Sequence, residues 1–203
     1  MLLAPLERTR LGPARGRVLG GARGRVLEVG AGTGANLRWY PPTVGHLDLC
    51  EPDLHRRRRL ERRVSAGRWP FTVAVHDLGA EGPFPAGAYD SVVATLVLCS
   101  VPDPEAAAAA MRAALADGGR LRYLEHVRAG GLPARLLQGA LAPLWARLGG
   151  GCHLDRPATA AWRRTGLVPV EQRWLRLPLP LRLAIEGQAI IRVRREPPAE
   201  GGP

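Results

Sequence analysis

The stretch VLEVGAGTGANL, residues 26–37, carries three glycines at alternate positions, Gly30, Gly32 and Gly34. That spacing lets a backbone turn tightly and approach a ligand closely. The turn is expected to open a helix, whose free N–H groups favour an anionic group. Acids punctuate the same region. Glu28 sits just before Gly30, and Glu51 ends the next apolar run. A carboxylate at that distance can grip a ribose diol. Asp77 ends a third apolar run, where it can accept from an adenine amino group. A second suggestive stretch is GGGCHLDR, residues 149–156, which sets Cys152 and His153 side by side. A thiol beside an imidazole suggests a catalytic pair or half of a metal site. Adjacent ligands are poor metal geometry and no spaced partner is evident, so no metal site is expected. His126, after Glu125, is the other candidate base. His46 and His55 are expected to be chemically idle, and Cys99 to fill core space.

Gly30-Ala31-Gly32-Thr33-Gly34-Ala35 also fits the GxGxxA of a nicotinamide-cofactor turn. Such an enzyme needs no acid in its first glycine turn, and its pyrophosphate would be repelled by one. S-adenosylmethionine (SAM) carries an amino-acid head and a positive sulfonium, which tolerate nearby acids. An acid, the spaced glycines, then acids at the following strand ends is the pattern of SAM-dependent methyltransferases.

The elements that must hold these residues alternate along the chain. RVLEVG, GHLDLCE, FTVAVHDL, YDSVVATLVLC and RLRYLEHV read as five strands. PDPEAAAAAMRAALADGG reads as a helix capped by Asp103, with Pro104 in its first turn and Gly118-Gly119 ending it. The alternation argues for an α/β fold with a parallel sheet and helices on both faces. Leu137, Ala140, Leu141, Leu144, Trp145 and Leu148 share one helical face. Pro143 should kink or split that helix. ATAAWRRTGL reads as a further helix ended by Gly166. VPVEQRWLRL and GQAIIRVR then form an antiparallel pair at the sheet edge. One domain over 1–203 is expected. Residues 1–24 form a helix or arm, 130–160 a lid over a small hydrophobic acceptor, and 196–203 a disordered tail.

The chain has 203 residues and a formal net charge of +11. All 29 of its basic residues are arginine, as a GC-rich coding bias would produce. The densest run, RRRRLERR, has a helix-like apolar edge in Leu60 and Val64 and reads as a solvated helix face. No aromatic residue interleaves with it, so a single-strand nucleic-acid platform is not supported. Three cysteines fit neither a disulfide framework nor a CxxC zinc site. No apolar run approaches the roughly 20 residues of a membrane span. No signal peptide is evident, so a cytoplasmic location without a transmembrane anchor is expected.

GTGANLRWYPP, TLVLCSVPD, LEHV and GCHLDR, in that order, resemble the small thiol S-methyltransferases of the methyltransferase-like group. The similarity runs over residues 25–194. The resemblance implies a Rossmann-like class I methyltransferase fold, with a seven-stranded, mostly parallel sheet and an antiparallel C-terminal edge hairpin. It implies SAM as cofactor and S-adenosylhomocysteine as product. Glu28, Gly30, Ala31, Gly32 and Gly34 would cradle the methionine moiety, with Thr33, Asn36 and Leu37 beside it. Glu51 would bind the ribose, and Pro52 would pack by the adenine. His76, Asp77 and Leu78 would line the adenine pocket, and Thr95 and Leu96 would face the transferable methyl. Methyl transfer from a sulfonium is an in-line displacement needing mostly positioning and desolvation. A thiol acceptor, with pKa near about 8.5, leans least on a base. His126 and His153 are the candidate bases, and Trp145, Cys152 and His153 the candidate acceptor pocket. The partner is then a small-molecule acceptor. An N-, O- or C-methyltransferase of a lipid headgroup or specialised metabolite stays open, as does a non-catalytic SAM-binding protein. A nucleic-acid methyltransferase is disfavoured, because TLVLCSV stands where an NPPY-type motif would be.

Overall fold

The computed structural model describes residues 7–126, 131–148, 151–153, 158–176 and 183–191. The expected tail at 196–203 lies outside them. A single seven-stranded sheet has the order β3-β2-β1-β4-β5-β7-β6. In chain order the strands are β1 (Gly24–Val29), β2 (Val44–Cys50), β3 (Thr72–His76), β4 (Tyr89–Thr95), β5 (Leu115–His126), β6 (Leu167–Arg176) and β7 (Leu183–Ile191). The first five pair in parallel, while β7 runs antiparallel to both β5 and β6. The expected edge hairpin is therefore present.

The helices are α1 (Gly12–Leu19), α2 (Leu54–Ala66), α3 (Pro104–Ala114), α4 (Leu132–Leu148) and α5 (Ala158–Arg164). Strand residues alternate between two apolar layers, as the two-residue period of a strand requires. Leu27, Val29, Val92, Ala94, Leu121 and Tyr123 pack against Met111 of α3 and Trp162 of α5. Val26, Leu47, Leu49 and Val93 face the other way, with Leu60 of α2. Leu124 joins Leu11, Ala14 and Val18, the last two from α1. Both sheet faces are covered, and residues ahead of β1 form an ordered helix. Leu60 anchors an otherwise arginine-covered α2; full burial of one leucine contributes about 1.5–3 kcal/mol. Asp53 caps this helix by accepting from the Arg56 N–H.

Three expectations are corrected. The glycine turn opens no regular helix: turns lead into a short 3-10 segment, Leu37–Trp39. Gly34 and the Pro41-Pro42 pair leave too little uninterrupted chain for more. Helix α3 begins at Pro104 under the Asp103 cap as expected, but stops at Ala114 rather than at Gly118. Residues 115–119 belong instead to β5, which passes Tyr89 with an irregular register. Helix α4 runs unbroken through Pro143. Among its described side chains Gln138 and Ala142 are buried, whereas Leu137 and Leu144 of the apolar stripe are exposed.

Candidate active site

Strand order reverses between β1 and β4, and the C-terminal ends of parallel strands beside such a switch form the usual crevice of an open α/β sheet. A cleft of about 680 Å³ lies there. Its walls include Gly30 and Gly32 after β1, Glu51 and Pro52 after β2, 79–82 after β3, and Leu96 and Val97 after β4. A second cavity, about 560 Å³, sits between α1 and the β6–β7 edge, lined by Arg17, Arg122 and Arg173 among others. It lies away from the glycine turn, so strand-end chemistry selects the first.

Gly30 and Gly32 both have positive φ, 67° and 60°. A Cβ on Gly30 would come within 2.6 Å of Val97 Cγ2, so this turn and the β4 exit close only around glycine. A Cβ on Gly32 would meet open space, on the cleft side. Glu51, buried at the cleft edge, holds the turn: its Oε2 accepts from the Gly32 N–H at 2.8 Å and its Oε1 from the Asp53 N–H at 3.0 Å. A carboxylate has about four lone-pair sites, so both oxygens keep capacity for a further donor.

Glu28 is placed behind the turn rather than on the cleft wall. Its Oε1 accepts from Asn36 Nδ2 and its Oε2 from the Tyr40 hydroxyl, at 2.8 and 2.7 Å. Arg15 of α1 donates to Asn36 Oδ1 and to Thr95 Oγ1, and Asn36 Nδ2 also donates to Thr95 Oγ1. Burial pushes the Glu28 carboxyl up to about 7, against the hydrogen bonds from Tyr40 and Asn36 and the Arg15 charge. This network ties α1, β1, the turn and β4 together. Glycine spacing could not reveal Arg15 or Tyr40, which reach it from other segments.

The adenine-side expectations divide. Glu51 and Pro52 line the cleft. His76 instead turns to Asp48, its Nε2 lying 2.7 Å from Asp48 Oδ1. Asp77 is exposed and paired with Arg57 at 2.6 Å. Leu78 packs against the core beneath. The sequence reading missed Asp53, Arg56 and the 79–82 loop, which furnish that wall. Thr33, Gly34 and Leu37 border a separate cavity with Arg63 and Trp69. Ala31 is buried between the two lining glycines.

At the β4 exit, Leu96 has φ 60°, alone among the described non-glycine residues in having positive φ. Such a conformation costs about 1–3 kcal/mol and persists where surroundings impose it. Here the Leu96 N–H donates to Leu124 O at 2.7 Å. Glu125, fully buried, accepts from the Val97 and Leu98 N–H groups through Oε1. Burial raises its carboxyl to about 8, and those backbone donors oppose the rise. Glu125 therefore braces the wall that carries Leu96.

The two candidate bases lie off the cleft lining. His126 is buried, with Nδ1 3.2 Å from Cys152 Sγ. His153 is half-buried and its N–H donates to Cys99 O at 2.7 Å. The fold supplies Cys152 with the spaced neighbours that its sequence surroundings lacked. A hydrogen bond with Cys152, then burial, then the Glu125 charge hold the Cys99 thiol well above its usual range. The Trp145 side chain lies outside the described residues.

Residues 6–172 match the family model for the methyltransferase domain. The chain belongs to this family. Rat thiol S-methyltransferase TMT1B is 33% identical over 172 residues, covering 81% of this chain and 69% of the relative. Human thiol S-methyltransferase TMT1A is 32% identical over 162 residues, covering 75% and 64%. The crystal structure of the N-methyltransferase NodS from Bradyrhizobium japonicum WM9, in complex with S-adenosylhomocysteine, superposes with a TM-score of 0.69. That match covers 93% of this chain and 90% of NodS at 18% identity, and shows a shared fold. Among the described residues of this methyltransferase, no helix is long and apolar enough to cross a membrane.

Proposed function

We propose that the chain transfers a methyl group from SAM to the sulfur of a small hydrophobic thiol. The observation that carries the acceptor is the sequence relation to thiol S-methyltransferases over most of the chain. The cleft supports the donor. Its volume falls within the roughly 300–1,000 Å³ of small-molecule sites. Gly32 is open toward it, and Glu51 has lone pairs to spare for a ribose diol.

SAM supplies an electrophilic methyl on a sulfonium. The residues of the chain supply position and dryness. Glu51 holds the ribose while fixing the Gly32 N–H. The 79–82 loop and Pro52 enclose the base. Leu96 and Val97 present an apolar surface at the methyl end, and a water-poor wall favours a step in which thiolate and sulfonium charges cancel. His126 does not line that surface. Helix α4 covers the acceptor.

The test is a mass-spectrometric screen in which purified protein and SAM meet alkyl thiols, amines, phenols and RNA. Methylated thioether is the expected product. Methylated RNA or amine with no thioether would overturn the thiol reading.

A further inference from the structure

Cys99, His126 and Cys152 come from three separate segments: the turn after β4, the last residue of β5, and the loop after α4. The fold gathers one ligand atom from each so that all lie within 4.8 Å of one another. Their exposures are 1%, 6% and 6%. Around them stand Leu11, Ala14, Val18, Leu124 and Leu175, with Leu96 packed alongside. The loop is held in place by the His153 N–H on Cys99 O.

Two thiols and an imidazole make an uneconomical core filling. Thiols are weak hydrogen-bond partners, so the 3.2 Å contact of His126 Nδ1 with Cys152 Sγ compensates a buried imidazole poorly. The same three groups are a good soft donor set. Zinc bonds of about 2.3 Å to sulfur and about 2.0–2.1 Å to nitrogen set tetrahedral ligand atoms roughly 3.5–3.8 Å apart. The 3.2 Å His126–Cys152 separation and the 4.8 Å bound bracket that spacing, so sub-ångström shifts suffice.

We propose that Cys99, His126 and Cys152 form a Cys2His site for a zinc-class divalent cation, whose fourth position takes the acceptor thiol. Among the described residues, no fourth histidine, cysteine, aspartate or glutamate joins the group. Three protein ligands with one open position is the arrangement of catalytic rather than structural zinc. The place also fits. Cys99 lies between Leu96-Val97 and Ser100-Val101, and all four of those residues line the cleft.

The acceptor half of the proposal rests on the thiol reading above. A thiol bound to such a cation loses its proton outright, here to solvent, which removes the need for a protein base. The acceptor sulfur's electron pair then forms the new S–CH3 bond. The donor's S–CH3 bond breaks, its electron pair stays on the donor sulfur, and that sulfur becomes a neutral thioether. The metal keeps its oxidation state. The product is itself a thioether, a weaker ligand than thiolate, and leaves the position.

The experiment uses the full chain purified under reduction from zinc-supplemented culture. Elemental mass spectrometry should find about one zinc per chain. Cys99→Ser, Cys152→Ser and His126→Gln should each lose it, with SAM binding by calorimetry retained. Because buried substitutions can disturb folding, wild-type protein is also stripped and loaded with Co2+. A thiolate-to-cobalt charge-transfer band is expected, and adding an alkyl thiol should intensify it. Reduced wild-type protein that retains no metal after incubation with Zn2+ and desalting would overturn the site. So would a Cys99–Cys152 disulfide in the zinc-supplemented protein. A cobalt band unmoved by thiol would overturn the acceptor half and leave the metal. Metal-loaded protein that responds to thiol yet forms no thioether would refute the thiol-methylating function and leave the site standing.

Discussion

Glu51 and Glu28 are both buried carboxyls near the glycine turn, yet their surroundings give them different tasks. Glu51 fixes two backbone N–H groups and borders the cleft, so Glu51→Ala should weaken SAM binding at least tenfold by calorimetry. Glu51→Gln, which keeps one acceptor, should lose less; equal binding by wild type and the alanine variant would refute the ribose assignment. Glu28 accepts from Asn36 and Tyr40 behind the turn. Glu28→Ala leaves the Tyr40 hydroxyl without this acceptor and Asn36 Nδ2 with Thr95 Oγ1 alone, and a buried donor left unsatisfied costs about 1–3 kcal/mol. Its unfolding midpoint in urea should therefore drop clearly, while Glu28→Gln largely restores it. The glycines and Glu51 were legible in the sequence because a turn and a strand end are local events. Arg15, Glu125 and Cys99 were not, because each acquires its role from a segment far away in the chain. Asp77 shows the converse: its position at a strand end was read correctly, but Arg57 of α2 draws its side chain outward.

At the scale of elements, α1 and α4 are the two helices whose roles the pattern described least well. Residues 1–24 read as a helix or arm, yet α1 buries Ala14, Val18 and Leu19 and sends Arg15 into the Glu28 network. Arg15→Ala removes hydrogen bonds from a charged donor, worth about 1.5–3 kcal/mol each site, and should lower stability by that order. Denaturant unfolding checks it, with Arg58→Ala on the exposed face of α2 as a milder reference. Helix α4 has the helical period that was read, on a segment expected to form a lid. Leu132, Leu136 and Leu144 on this helix are more than half exposed. Periodicity reports that a face is apolar; it does not say which neighbour covers it. If α4 shelters the acceptor, Trp145→Ala should raise the KM for apolar thiols while leaving SAM affinity and thermal stability unchanged. Unaltered acceptor kinetics would remove α4 from the site. The β6–β7 pair was legible because the link between the two runs is too short for a crossover helix, which leaves antiparallel pairing.

The whole molecule combines many surface arginines with carboxyls hidden in its interior, and that arrangement sets how its stability follows pH. Glu28 and Glu125 have folded values of about 7 and about 8, raised from 4.5 chiefly by burial. A raised acid favours the folded state while protonated. Its contribution is complete below about 4.5 and is lost as pH climbs through the folded value. Buried Cys50, pushed up to about 12, acts with the same sign at higher pH. Asp48 opposes them: its hydrogen bonds from His76, His46 and Arg25 outweigh its burial and lower it from 3.8. Its contribution is present above that value and is lost as pH falls further. The ligand-free protein should thus be most stable in mildly acidic buffer, with a melting temperature that declines between about pH 5 and pH 9. The doubly substituted Glu28→Gln, Glu125→Gln protein, which is neutral at both sites, should show a flatter profile over that window. Thermal unfolding followed by circular dichroism across the range reads both. A wild-type midpoint that rises from mildly acidic to alkaline pH would mean that these two carboxyls are ionised in the folded core, and that Arg15 and the backbone donors outweigh their burial.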